Sequence, residues 1–385
     1  PNIRFQQNKS LPREMTRPDS MPLRYERDEQ GQGAYKAKVR KKNKDRQWGL
    51  SKLRSREDPL VVFTLITQTV VGAFMALFLG NEVLGFESLS IEHSPIAVPV
   101  FLFTLLALET FALVLSTMHL GKPHRFYRSF NNLRYSPVSR EVAGIAVFFN
   151  MLGVYTLLTV LPSIFQEMPK DLITSLQSFF GWAAVVAGPV ALYFMCKIYH
   201  IKARPFWNHW QVYTSFYGSM LSQGSLLTGL VFAGVLAGKG ASYIELMQLL
   251  SVTVLAGLVL EAVGLVFHAR DLEKRGGEGA ASLHEQFTTF GKTYISRNIG
   301  LALSIVAVSV LVLSGVDGWG GYSGWFLTGV MLLATSLVGR ALFYVLVIPT
   351  TMPGAFFWRN QSFQEHARET GLANMQQVGV VADIH

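Results

Sequence analysis

The chain contains a single cysteine, Cys196, among 385 residues. One cysteine excludes a framework of internal disulfides. It also excludes an iron–sulfur cluster held by this chain alone, because such a cluster needs about four cysteine ligands. The sequence therefore predicts no metal site of its own, and any cluster that serves this protein must belong to a partner chain.

Charged residues are scarce, at 15% of the chain, where a soluble domain usually carries about 25%. Half of the residues are hydrophobic, and they are concentrated in long runs. A bilayer core about 30 Å thick needs about 20 apolar residues per helix. Eight runs reach about this length, at residues 59–80, 96–119, 141–163, 174–199, 212–238, 244–268, 298–316 and 323–348. The sequence therefore predicts an all-α membrane protein with eight transmembrane helices.

Basic residues are almost absent from one side of the predicted bilayer. Of the 34 Lys and Arg residues, 31 lie in the terminal segments or in the loops after the second, fourth and sixth runs. The loops on the other side carry only Lys170 and Lys239. Because cytoplasmic loops are the ones enriched in Lys and Arg, both termini are predicted to be cytoplasmic, in a multi-pass protein of the inner membrane.

Composition divides the chain into three regions: a basic, largely irregular tail over 1–58, an eight-helix membrane domain over 59–350 and a polar tail over 351–385. The first tail has too few apolar residues to fold alone, and its polarity predicts no cleavable signal peptide. The basic run over 36–44 suits anionic membrane lipid. The tail can equally become ordered on a soluble partner. No motif in it supports nucleic-acid binding.

The most distinctive segment joins the second and third runs, where residues 116–125 read STMHLGKPHR. Gly121 and Pro123 favour a helix end here, so His119 is predicted at the cytoplasmic membrane boundary. An imidazole titrates near neutral pH, and it can donate to, or accept from, a quinone carbonyl. A helix-end histidine favoured by the helix dipole explains its position equally well.

Three blocks of the sequence are shared with one known family. In chain order they are His119-Leu-Gly-Lys-Pro with Arg125, Asn131, Asn132 and Ser139-Arg-Glu141; the entry to the fifth run over 205–225; and Gly339-Arg340-Ala-Leu-Phe-Tyr344 in the last run. Over about 59–350, the chain resembles the membrane anchor subunit of dimethyl sulfoxide reductase. The first block is the more specific one.

This resemblance implies a quinone-reactive anchor that carries neither haem nor an iron–sulfur cluster. It would exchange electrons between menaquinone or ubiquinone and an iron–sulfur subunit, beside a molybdopterin catalytic subunit. Molybdenum chemistry then belongs to another chain. By carry-over from the family, His119, Glu141 and Arg340 line the quinone site, and we add Arg125 from the same block as His119.

Two features depart from the family pattern. The best-known members have a short N-terminus and face the periplasm, whereas this chain has a long basic tail and a predicted cytoplasmic orientation. These features favour the branch whose catalytic subunits stay in the cytoplasm, such as sulfite dehydrogenases that reduce quinone. The direction of electron flow is therefore left open by the sequence.

Ionisable residues inside predicted spans, where a charge is costly and usually functional or paired, are Glu109, Glu261 and Arg340. Glu261 and His268 are seven residues apart, so they lie on one helical face. Glu109, Glu261 and His268 form a predicted proton path, as expected for a polysulfide-reductase-like anchor that couples quinone chemistry to proton translocation. Neutral, hydrogen-bonded packing groups are the alternative interpretation of the same three residues.

A transmembrane b-type haem requires two facing histidines at similar depth. His119, His200 and His268 each end a predicted helix, where a histidine needs no ligand to explain it. No predicted helix carries a second histidine deeper in the membrane. We therefore expect no haem on this chain.

Basic residues on the loops form a predicted electrostatic docking face for the partner subunits. They are Lys122, Arg128, Arg134, Arg140, Lys202 and Arg204. The adjoining Trp207 and Trp210 are typical of an aromatic belt at the membrane surface. The alternative is that these two tryptophans form a wall of the quinone entrance or part of the docking surface.

Outside electron transfer, the rival prediction is a secondary transporter, although the sequence shows no convincing internal repeat.

Overall fold

Eight long helices form the membrane domain. The computed structural model describes residues 23–26, 36–39, 45–55, 57–118, 122–160 and 169–348. Within these ranges the strands and α-helices are β1 Leu23–Glu26, β2 Lys36–Val39, α1 Asp58–Glu82, α2 Ala97–Met118, α3 Pro137–Val160, α4 Lys170–Ile198, α5 Gln211–Gly238, α6 Ile244–Arg275, α7 Gly277–Phe287, α8 Gly291–Ser314 and α9 Gly318–Val345. Every one of these helices except α7 is long and apolar enough to cross a membrane. The predicted all-α membrane fold with eight spans is confirmed.

Two helix boundaries differ from the predicted runs because a helix does not need apolar residues once it leaves the bilayer. The α6 helix continues past residue 268 to Arg275, and Gly276 ends it with a positive φ of 66°. The α8 helix begins at Gly291, well before the predicted start at 298. Segments that were predicted as loops around residues 270–297 are therefore largely helical.

The α1 helix lies at the centre of the domain and packs against α2, α4, α5 and α9. Its closest approach is to α5, where Gly72 and Gly224 face each other. A Cβ atom added to Gly72 would meet the backbone of Met220, and one added to Gly224 would meet the backbone of Gly72. Small residues allow membrane helices to approach this closely, so the two glycines bring α1 and α5 into direct backbone contact.

Buried apolar residues form two clusters. The larger one is centred on α1 to α5, and the end of α9 packs into it. The smaller one lies between α5, α6, α8 and α9. The α5 helix contributes to both clusters and so joins the two halves of the domain. Outer helix faces expose large apolar side chains, among them Val100, Phe103, Phe111, Leu313 and Phe326, as expected for surfaces that contact lipid.

The described parts of the N-terminal region contact the α7–α8 corner. Gln47 N–H donates to the carbonyl of Thr288 at 2.8 Å, and Lys292 N–H donates to the carbonyl of Gln47 at 3.0 Å. Further upstream, β1 and β2 pair antiparallel, and both contact α7. The region just before α1 is therefore fixed to the same end of the domain as α7. The predicted boundaries of the three regions remain a prediction.

Candidate functional site

Arg340 lies in the interior of α9 and is only 3% exposed. Its Nη2 donates to Oε1 of Gln68 on α1 at 2.8 Å and lies 3.5 Å from Oγ of Ser219 on α5. The guanidinium carbon lies 3.9 Å from the ring centroid of Phe216, a cation–π contact. Helices α1, α5 and α9 thus hold this charge between them.

Two nitrogen atoms of Arg340 remain available to donate hydrogen bonds to a ligand. Among the described residues, neither Nε nor Nη1 has a hydrogen-bond partner, and both atoms are buried. A buried donor that stays unpaired costs free energy, more so when it is charged. An Arg donor fork of this kind fits a ligand that brings acceptor oxygens, such as the carbonyl or hydroxyl oxygens of a quinone or quinol.

Glu141, near the start of α3, is also buried, at 8% exposed. Its carboxyl group and the Arg340 guanidinium both act electrostatically on Tyr199 and Tyr344. The hydroxyl oxygens of these two tyrosines lie 2.6 Å apart, within hydrogen-bond distance. The structure therefore brings two of the four predicted quinone-site residues, Glu141 and Arg340, to one tyrosine pair.

Aromatic side chains form one wall beside this pair. Trp207 Nε1 donates to the carbonyl of Phe343 at 2.8 Å, and the two rings stack with centroids 5.6 Å apart. Trp207 is 7% exposed, whereas Trp210 is 43% exposed. The aromatic-belt prediction is therefore wrong for Trp207, because its indole nitrogen finds a buried carbonyl and its ring packs inside the domain.

The other two predicted quinone-site residues are not part of this described cluster. His119 lies outside the described residues, between Met118, where α2 ends, and Lys122. Arg125 lies on a 3₁₀ segment over Pro123–Phe130 and is exposed. Among the described residues, no hydrogen bond or ion pair joins Arg125 to the cluster around Arg340.

A polar cavity lies between α5, α6, α8 and α9, beside α7. Its free volume of about 20 Å³ is enough for a water molecule. Its polar lining comes from Gln211, Ser215, Glu261, His268, Gln286 and Arg297. The structure thus places Glu261 and His268, two members of the predicted proton path, in one cavity.

Two sequence-based predictions about this cavity need correction. His268 does not end a helix, since α6 continues to Arg275, and its Nε2 lies 2.8 Å from the carbonyl of Phe206. Because a carbonyl only accepts, His268 carries its proton on Nε2. Arg297, which the sequence assigns to the cytoplasmic loop charges, lies inside α8 and is 7% exposed. Arg297 directly precedes the predicted apolar run over 298–316. The sequence therefore does not distinguish it from the charged residues of the preceding loop.

Glu109 is fully buried on α2, apart from the cavity. Its Oε1 accepts from Oγ1 of Thr67 on α1 at 3.1 Å, and Oε2 has no partner among the described residues. Gln68, the neighbour of Thr67, accepts from Arg340. Among the described residues, adjacent side chains of α1 therefore connect Glu109 to the Arg340 site.

Half of the predicted docking residues, Lys122, Arg128 and Arg134, lie on an exposed segment, residues 122–136, which joins α2 to α3 and contacts both helices. Lys122, Arg128, Arg134, Arg140 and Lys202 are exposed. Arg204 is half-buried, and its guanidinium carbon lies 4.6 Å from the ring centroid of Trp207. Arg140 donates to the carbonyls of Leu133 and Arg134. It thus holds the shape of the segment as well as carrying charge.

The described part of the chain contains no group of three or more His, Cys, Asp or Glu residues that could hold a metal ion. Cys196 is buried in α4, with its sulfur 3.9 Å from the carbonyl of Val212. The polar groups described at the Arg340 site are guanidinium, carboxyl, amide and hydroxyl groups.

The chain is similar to known proteins over most of its length. A family model described as DMSO reductase anchor subunit (DmsC) matches residues 54–346. The chain belongs to this family. An anaerobic dimethyl sulfoxide reductase subunit of Haemophilus influenzae is 29% identical over 297 residues, which cover 75% of this chain and 94% of the relative.

Two Escherichia coli proteins are also similar to this anchor subunit. Both are described as anaerobic dimethyl sulfoxide reductase subunits; one, YnfH, is 24% identical over 303 residues, and the other is 27% identical over 296 residues. Each match covers 75% of this chain and 94% of the relative. The predicted resemblance is thus confirmed, and this chain is a multi-pass membrane anchor of a molybdoenzyme complex. The predicted partners, an iron–sulfur subunit and a molybdopterin catalytic subunit, are confirmed with it.

Proposed function

We propose that this anchor subunit is quinone-reactive and exchanges electrons between a membrane quinone and the iron–sulfur subunit. The supporting observation is the buried Arg340, whose Nε and Nη1 have no hydrogen-bond partner among the described residues. A quinone is lipid-soluble and supplies the missing acceptor oxygens. Both menaquinone and ubiquinone carry the required pair of oxygens, so either can be the quinone that binds here.

Each residue of the proposed site has a defined task. Arg340 orients one quinone oxygen by hydrogen bonding and by its charge. Glu141 and His119 exchange protons with the ring oxygens, since carboxyl and imidazole groups serve as general acids and bases in proteins. Arg125 provides positive charge at the entrance. When bound, the quinone supplies the two-electron redox chemistry, while the protein supplies orientation and proton transfer.

The iron–sulfur subunit is proposed to dock on the basic residues that the sequence singled out. Supporting this, the 122–136 segment exposes aromatic side chains beside its charges, with Tyr127 55% exposed and Tyr135 72% exposed. Aromatic and arginine side chains are enriched in protein interfaces. The docked subunit would lie next to Glu141, at the start of α3, which keeps the path for electrons short.

The orientation proposed for the chain is the one with both termini in the cytoplasm, in the inner membrane, with the basic N-terminal region near anionic lipid. A reporter that works only in the cytoplasm should be active when fused to the C-terminus. Activity restricted to a periplasm-specific reporter would overturn this orientation and the direction from which partners dock.

A coupled proton path through Glu109, Glu261 and His268 is a second proposal, which corresponds to the polysulfide-reductase-like alternative. The observation in its favour is the shared cavity of Glu261 and His268. The alternative of a secondary transporter draws no support from membership in an anchor-subunit family.

The proposed function is tested on the purified complex by comparing quinone-linked turnover with turnover driven by an artificial dye. His119→Arg should lower the quinone-linked rate by about a hundredfold and leave dye-linked turnover unchanged. His124→Arg is the matched control, because it adds the same charge to an exposed position nearby. Unchanged quinone turnover in His119→Arg would remove His119 from the site, and absence of quinone turnover in the natural complex would refute the function.

A further inference from the structure

The cavity beside α7 contains a buried arginine that lacks part of its hydrogen bonding. Nε and Nη1 of Arg297 are both buried and have no partner among the described residues. Its guanidinium carbon lies 5.3 Å from the ring centroid of Tyr294, one turn earlier on α8. A charge buried inside the membrane in this way is costly and requires nearby groups that stabilise it. The unpaired donors of Arg297 therefore indicate that the cavity also contains a hydrogen-bond acceptor.

Glu261 lies in the same cavity and is 7% exposed. The strongest charge acting on its carboxyl group is that of Arg297, and the next is that of Arg340. The two arginines belong to α8 and α9, respectively. Glu261 thus lines the cavity, and its carboxyl group is also within the electrostatic influence of Arg340 of the proposed quinone site.

The cavity is suited to water rather than to a larger ligand. Its free volume of about 20 Å³ accommodates a water molecule, which needs two to four polar partners. Arg297 donates, Ser215 and Gln286 both donate and accept, and a carboxyl group accepts. A quinone ring would require the side chains to move apart.

We propose that this cavity is a water-containing proton-exchange chamber of the quinone site, in which Glu261 carries the proton and Arg297 is its counter-charge. The proposal rests on the proposed quinone function. Oxidation of a quinol sends two electrons to the iron–sulfur subunit and releases two protons. His119 and Glu141 accept these protons from the ring oxygens, and Glu261 passes one of them on to the water of the chamber. For quinone reduction, the same groups deliver two protons to the ring oxygens while two electrons arrive.

The chamber connects to the end of the domain that carries α7. His268 and Gln286 line the cavity toward this end, together with Phe206 of the α4–α5 loop. Further out, the rings of His268 and His209 lie 5.1 Å apart. Gln286 belongs to the buried face of α7, so this short helix covers the chamber. A water chain past Gln286 would exchange protons with bulk water on this side.

Glu261→Gln tests the proposal in the purified complex, because it removes the titrating group and preserves size and polarity. We expect the ratio of quinone-linked to dye-linked turnover to fall by about a hundredfold and the solvent deuterium effect on the remaining quinone turnover to increase. Glu245→Gln, at the other end of α6 and exposed, is the matched control and should change neither quantity. Using the ratio corrects for differences in assembly.

A second variant covers the case in which Glu261→Gln does not assemble. Gln286→Leu keeps Glu261 and removes a polar group from the cavity, and it should also lower the ratio and raise the deuterium effect. A normal ratio and deuterium effect in either assembled variant would overturn the proposal. This result differs from failure of the quinone function itself, in which the natural complex would lack quinone turnover or would be insensitive to His119→Arg.

Discussion

Buried arginines are the residues that define the functional end of this domain. Arg340 and Arg297 are 3% and 7% exposed on neighbouring membrane helices, and each retains unpaired donor nitrogens among the described residues. Burial of an unpaired charge is unfavourable for folding. Their presence is explained if the arginines serve ligand binding and proton transfer rather than stability.

Substitution of Arg340 tests this interpretation at the residue scale. Arg340→Lys keeps the charge but loses the planar donor fork and the stacking on Phe216. We expect quinone-linked turnover to fall by about a hundredfold, with dye-linked turnover retained. Arg270→Lys, at an exposed position of α6, should leave both rates unchanged. Equal quinone-linked rates in the two variants would contradict a role for Arg340 at the quinone.

The sequence identified some of these residues and not others, for a physical reason. Arg340 and Glu261 stand out because each interrupts a long apolar run. Arg297 does not, since it lies near the polar start of α8, where a cytoplasmic loop is the natural interpretation. Trp207 looked like a belt residue because its buried partner, the carbonyl of Phe343, is distant in sequence.

At the scale of elements, the contact of α1 with α5 depends on the absence of side chains at Gly72 and Gly224. Gly224→Leu should force the two helices apart, because its Cβ would meet the Gly72 backbone. We expect a loss of about 1–3 kcal/mol in stability, measured as a lower thermal unfolding midpoint of the complex.

Gly153→Leu in α3 is the matched control for this substitution. Among the described residues, and apart from its chain neighbours and its own helix backbone, no atom lies within 4 Å of a Cβ added there, so the same change should be tolerated. Equal unfolding midpoints for the two variants would show that the α1–α5 contact is not a tight one.

The connection between α4 and α5 should respond to acid through His209. Its Nδ1 accepts from the N–H of Gln211 at 3.0 Å, so the ring is neutral. Burial lowers the pKa of His209 below its ordinary value and outweighs the opposing effect of Asp271. As the pH falls below about 6.5, the imidazole of His209 becomes protonated in the unfolded chain before it does in the folded one. The free energy of unfolding therefore decreases over this pH range.

The acid response is measured from thermal unfolding midpoints of the complex at about pH 7.5 and about pH 5.5. His209→Gln should reduce the decrease in midpoint between these conditions, whereas His124→Gln, at an exposed position, should not. An identical decrease with and without His209 would exclude this histidine as the source.

The composition of each helix decides whether the sequence predicts it: the eight membrane helices were predicted, and α7 was not. Eight helices follow from apolar runs long enough to cross the bilayer, whatever their tertiary partners. The α7 helix was missed because it is short and polar, and its buried positions Glu278, Ser282 and Gln286 recur every four residues. Its packing against α6, α8 and the two strands explains why this face is buried.

At the scale of the whole molecule, the exposed 122–136 segment is expected to control assembly. Reversing the charge of Arg128 and Arg134, both exposed, should weaken association with the iron–sulfur subunit by about tenfold. The measurement is the salt concentration at which the partner dissociates during purification. Lys239→Glu, on the opposite side of the domain, is the control. Equal salt sensitivity in the two variants would exclude this segment as the docking surface.

The central claim is that a quinone binds this chain beside Glu141 and Arg340. The most direct test is to label the purified complex with a photoreactive quinone and to map the labelled peptides. The account predicts label on the described segments around the start of α3 and the end of α9, suppressed by excess natural quinol and absent in Arg340→Lys. Label confined to other helices, or to a partner subunit, would contradict it.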